Sequence, residues 1–189
     1  MQSDFRWVLR DRTSGEHERV DRLLSALDIG SPDGFADFLS IHRICFAAMK
    51  ADAPAEEGGF ATLTEMIACI DSDLASLGIP CDAGSAVSVG PVHVLARDYV
   101  LEGSRLGSKV LRRRWEASED PRVKAADAYF SITPVPGRWR EVCAALSAVS
   151  PDGPEATRIA EDAGRLFALF HDVAKDWLSE KSGCREVSI

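Results

Sequence analysis

Residues 99–111 read YVLEGSRLGSKVL. Val100, Leu101, Leu106, Val110 and Leu111 recur at helical spacing, yet Gly103 and Gly107 sit inside the run, each followed by a serine, Ser104 and Ser108. An interior glycine costs a helix roughly 0.5–1 kcal/mol relative to alanine. Four residues apart, the two share one helix face. Two readings of that smooth face are open: a neighbouring helix packs close against the backbone, or a flat ligand lies across it. Glycines also let a helix bend.

The chain around this stretch reads as helical throughout. Apolar spacing predicts helices over about 4–28, 33–52, 57–77, 91–116, 121–131, 137–149 and 153–180. Gly30 is expected to end the first, and Ser31-Pro32-Asp33 to open the second with a serine cap and a proline in the first turn. Residues 78–90 carry loop chemistry, and no alternating strand pattern or repeat is present. The expected class is all-α, one domain over residues 1–189, with 1–4 and 181–189 as loose ends.

Composition narrows the function. With 189 residues and 46% hydrophobic residues, the chain can bury a core unaided. A net charge of −8 argues against nucleic acid as the main partner. The densest basic cluster, Lys109 with Arg112, Arg113 and Arg114, reads as a solvated helix face or a dock for an acidic protein. Five cysteines, an odd count without CxxC or zinc-ligand spacing, point to a reducing cytoplasm rather than a disulfide framework. Cys45, Cys69 and Cys143 lie in apolar helical stretches and are expected in the core. No signal-peptide pattern and no membrane-spanning run is visible.

Of the four histidines, His17 has distinctive company in LRDRTSGEHERVD, residues 9–21. Asp21 lies one turn on, where its carboxylate can accept the ring's Nδ1–H and leave Nε2 for a metal. Arg10 lies two turns back, about 10 Å along the axis, within reach of an anionic edge of a ligand held at His17. Haem has that shape. The same spacing also fits a plain surface His–Asp pair with a solvated arginine. His42 sits among the apolar residues of the second helix, His93 opens the fourth, and His171 stands beside Asp172 near the chain's end.

Together these stretches resemble the haem oxygenase family. LRDRTSGEHERVD is similar to its first-helix motif. YVLEGSRLGSKVL is similar to its distal-helix motif, nearest to the bacterial, biliverdin-producing branch with its E-G-S-x-L-G pattern. The two occur in the right order, about 85 residues apart, and the resemblance runs through FADFLSIHR at 35–43 to RLFALFHDVAKDW at 165–177. It implies haem between a proximal first helix and a kinked, glycine-bearing distal helix.

The site residues follow by position. His17 is implied as the iron ligand and Asp21 as the residue that orients it. Arg10 and Tyr99 are implied at the propionates, with Thr13 beside the haem. Gly103, Ser104, Gly107 and Ser108 are implied where the distal helix crosses the macrocycle. His42 is implied in a distal hydrogen-bond and water network. The implied reaction takes haem as cofactor and substrate, O2, and electrons from an external reductase or ferredoxin-type donor. It gives biliverdin, iron and carbon monoxide. No flavin or nicotinamide fingerprint occurs in the chain itself.

The sequence departs from the family at Ser108, where glycine or alanine is usual, and at Arg97 and Asp98, where smaller or less polar residues are expected. These departures keep open a non-catalytic haem sensor or carrier on the same fold. A di-iron oxidase needs inward-facing Glu-x-x-His sets, which are absent from the sequence. A thiaminase-like hydrolase needs a cysteine with an adjacent base, and none is evident.

Overall fold

Local signals set the helix ends. Asp4 caps the first helix by accepting the Arg6 N–H at 2.9 Å, and the Ser31 hydroxyl caps the second by accepting the Gly34 N–H at 3.2 Å. The computed structural model describes residues 4–55, 57–80 and 87–186, with the backbone alone at Leu106, Ser108 and 182–186. Within the described residues the order is α1 (Phe5–Ser25), α2 (Pro32–Ala51), α3 (Gly58–Ser76), α4 (Val94–Glu116), α5 (Pro121–Ala125), α6 (Ala128–Ser131), α7 (Arg138–Ser147) and α8 (Pro154–Glu186), with no strand.

The expected all-α class holds, with four corrections. First, α1 stops at Ser25 rather than at Gly30, which has no left-handed conformation. The Arg114 guanidinium from α4 donates to the Ser25 and Leu27 carbonyls at 2.9 and 2.7 Å, satisfying acceptors that the ended helix exposes. Second, the single helix expected over 121–131 is two short ones. The Asp73 carboxylate of α3 accepts the N–H groups of Ala128 and Tyr129, each at 2.8 Å, and so starts α6 afresh. Third, α8 runs to Glu186, past the end expected near 180, and Asp4 caps α1, while 1–3 and 187–189 lie outside the described residues. Fourth, Cys69 is partly exposed, whereas Cys45 and Cys143 are buried. Cys81 and the Cys184 side chain lie outside the described residues.

α2 is the central element, burying Phe35, Phe38, Leu39, Ile41, Cys45, Phe46 and Met49. Its first turn lies so close to the Asp28 backbone that a Cβ at Gly34 would come 2.2 Å from the Asp28 carbonyl oxygen; only glycine fits. The long α8 packs along α1, α2 and α4. It therefore supports α1 and α4 on either side of a cleft that both helices line. Among the described residues, no helix is long and apolar enough to cross a membrane.

Candidate functional site

The cleft has two neighbouring chambers that share lining residues. The first is a cavity of about 380 Å³ walled by α1 through His17, Asp21 and Leu24, and by α4 through Val100, Gly103, Ser104 and Gly107. Phe38 and His42 of α2, Tyr129 of α6 and Phe167 and Phe170 of α8 close its inner end. The second, of about 450 Å³, is lined by Arg6, Trp7, Arg10, Thr13 and Glu18 of α1. His17, Tyr99 and Trp139 border both chambers. Each volume suits a small organic ligand.

His17 stands where the chambers meet. Its Nδ1 lies 3.0 Å from Asp21 Oδ2. A carboxylate only accepts, so Nδ1 carries a proton, and in the neutral ring Nε2 keeps its lone pair. The ring packs edge-on against Phe167, with centroids 5.4 Å apart, and the side chain is 54% exposed. The pairing inferred from i,i+4 spacing is formed, and it leaves a nitrogen acceptor at the chamber junction.

The glycine question is answered at Gly107. A Cβ built there meets nothing within 4 Å, so no neighbouring helix packs against it. A Cβ at Gly103 reaches only ordinary contact, 3.9 Å, with the Trp139 ring. Both glycines line the first chamber, and α4 is helical through them. Ser104 also lines the chamber, with its hydroxyl donating back to the Leu101 carbonyl at 2.8 Å. The Ser108 side chain lies outside the described residues.

Arg97 and Asp98, the departures next to Tyr99, turn away from the cleft. Arg97 is 1% exposed and pairs with Glu57, while Asp98 pairs with Arg138 of α7 at 2.5 Å. Glu102 is also buried, 3.7 Å from Arg105. Burial raises the Asp98 and Glu102 carboxyls above their usual range, against the pull of nearby arginines. Burial likewise lowers the Arg97 guanidinium.

The second, cationic chamber is lined by Arg10 and also by Arg6, which the sequence did not single out. Arg6 lies 4.3 Å above the Trp7 ring and Arg10 5.8 Å from it. Neither arginine forms an ion pair among the described residues, so both cations are available to an anionic group. Thr13 lines this chamber from a buried position, but its hydroxyl donates to the Leu9 carbonyl at 2.9 Å. Tyr99 tilts against Trp139 at 6.0 Å.

His42 is fully enclosed. Its Nδ1 lies 2.8 Å from the Phe38 carbonyl, and burial lowers its pKa from 6.5 to about 4. The remaining histidines do structural work. His93 caps α4 by accepting the Leu95 N–H, and His171 pairs with Asp172 outside both chambers. Trp139 and Tyr129 were not legible as site residues. They lie on short helices that only the packing of α6 and α7 brings to the cleft. Comparison with known protein families and with curated proteins finds no match to this chain.

Proposed function

We propose that this chain is a haem oxygenase. Bound haem supplies the iron that activates O2 and is itself the substrate, opened to biliverdin with loss of iron and carbon monoxide. The observation that supports this reading best is the position of His17. Its Nδ1–H is held by Asp21 on the rim of an apolar chamber, and the opposite wall of that chamber is the glycine-bearing face of α4.

Each part of the cleft has a task toward such a ligand. His17 Nε2 takes the iron, and Asp21 fixes the tautomer and raises the basicity of the ring. Arg10, about two turns from His17, and Arg6 receive the propionates in the cationic chamber, with Tyr99 and Trp139 at the border. The missing side chains of Gly103 and Gly107 leave room in the first chamber that O2 and water would use. Phe38, Phe167 and Phe170 exclude bulk water from the inner end. Arg97 and Asp98 do not line either chamber, so they give no support to a non-catalytic sensor or carrier.

Electrons come from an external donor. Lys109, Arg112 and Arg113 are exposed beside Val110, which lines the chamber and is 64% exposed, and they offer an acidic ferredoxin-type donor a basic landing. The test is to add haemin to the purified protein and then a reductant in air. A histidine-ligated haem spectrum that decays to that of biliverdin is expected, and His17→Ala should remove the ligated spectrum. An identical spectrum and affinity in His17→Ala would overturn the assignment. Stable haem binding without biliverdin would select the sensor or carrier instead.

A further inference from the structure

The inner end of the first chamber carries two polar groups in an otherwise aromatic wall. His42 is 5% exposed and Tyr129 is 7% exposed. The His42 ring is packed against Phe38 at 4.0 Å, Phe46 and Phe170 at 5.5 Å each, and Tyr129 at 6.1 Å. Its Nδ1 bonds the Phe38 carbonyl, so Nδ1 holds the single ring proton and Nε2 is a pure acceptor. Among the described residues, neither Nε2 nor the Tyr129 hydroxyl has a hydrogen-bond partner, and both residues line the chamber. Both residues line the cavity, so the acceptor and the hydroxyl are open to a hydrogen-bonding occupant of it.

We propose that His42 and Tyr129 form a recognition site for a terminal lactam ring of a linear tetrapyrrole, with His42 Nε2 accepting the lactam N–H and the Tyr129 hydroxyl donating to its carbonyl. The inference rests on the function proposed above. It adds that the cleft holds its product by a contact the substrate lacks. In haem every ring nitrogen is bound to iron and no N–H is available. Once the ring is open and the iron lost, the chain of pyrroles ends in lactams, each with an N–H donor beside a carbonyl acceptor. Arg6 and Arg10 line the other chamber, and Arg114, which borders the first, is tied to the Ser25 and Leu27 carbonyls, so a ligand whose anionic groups lie with Arg6 and Arg10 presents its uncharged part to His42 and Tyr129. The aromatic enclosure keeps water from competing for the pair.

The test titrates the purified protein separately with haemin and with biliverdin, in wild type, His42→Phe and Tyr129→Phe. Each variant should weaken biliverdin about tenfold more than it weakens haemin, the size expected for one buried hydrogen bond. Equal changes for both ligands, or unchanged biliverdin affinity, would overturn the site. A measurement on wild type alone guards against misfolded variants: 15N-labelled biliverdin bound to the protein should show one N–H slowed in exchange with D2O relative to free biliverdin. Exchange at the free rate for every N–H counts against the proposal. Haemin binding through His17 together with indifference of biliverdin to His42 removes this inference alone, whereas failure of haemin to bind removes the proposed function with it.

Discussion

The two faces of α4 invert the usual expectation for a surface helix. One face, toward α1, carries Val100, Gly103, Ser104 and Gly107, and at Gly107 it has open space where a side chain would be. The other, toward α3 and α7, buries Arg97, Asp98 and Glu102 with Glu57 and Arg138 as partners. A pair of small residues four apart often signals close helix packing, and a run of charges usually signals solvent. Here the glycines border the opening and the charges lie inside. Burying ions carries a desolvation cost that only good pairing offsets, so the charged face demands a fixed geometry. The glycine face gives up roughly 1–2 kcal/mol of helix propensity over its two positions to leave a void. Rigidity on one side thus supports emptiness on the other.

The comparison breaks first at Gly107→Leu. An isobutyl group there fills the chamber, so haemin binding or turnover should be abolished while the apoprotein melts at or above the wild-type temperature; full activity would end the ligand-roof reading. The packed face should behave oppositely. Arg97→Ala leaves Glu57 without its cation and removes one of the two arginines beside the buried Asp98, which keeps Arg138; with Glu57 partly exposed, the apoprotein should lose about 3 kcal/mol, the low end for a broken buried pair. Denaturant unfolding checks this, and a loss below about 1 kcal/mol would mean that the buried charges are not a fixed support.

The inner end of the cleft has a pH signature of its own. His42 has a folded pKa depressed from 6.5 to about 4, so its neutral form favours the folded state. That stability is present above pH 6.5 and is lost as pH falls toward 4, a difference of about 3 kcal/mol at 1.36 kcal/mol per unit. His42→Phe should flatten the acid limb of the stability curve by up to that amount. The raised carboxyls of Asp73, Asp98 and Glu102 titrate in both proteins and cancel in the difference. A superimposable acid limb would contradict a buried neutral imidazole.

Smaller effects discriminate more finely. Arg10→Glu sets an anion where an anionic edge is expected and should weaken haemin about tenfold, about 1.4 kcal/mol, or shift the ratio of biliverdin isomers. If neither moves, Arg10 is only a surface charge. Least in size is Gly107→Ala. With nothing within 4 Å of the new methyl, the apoprotein should gain about 0.4–1 kcal/mol from helix propensity and a less flexible unfolded chain. A destabilised apoprotein would return the glycine to close packing, against the open space around it.

Helix existence, the Ser31 cap, the pairing of His17 with Asp21 and the presence of Arg10 on their side of the cleft were all legible in the sequence. They depend on residues within one or two helical turns, where spacing and hydrogen-bonding chemistry leave few alternatives. The end of α1 was not legible, because its last carbonyls are capped by Arg114, 89 residues from Ser25. Nor was the break between α5 and α6, which Asp73 imposes from 55 residues away. The sequence also left open which face of α4 meets a void. Its glycines admit either a neighbour or a cavity, and its charges either water or partners, until α8 holds α1 and α4 apart, the residue before α3 supplies Glu57 and α7 supplies Arg138. Short-range pattern therefore determined the helices and the histidine pair, whereas long-range packing decided the cleft, since a cavity is defined by what several distant segments fail to fill.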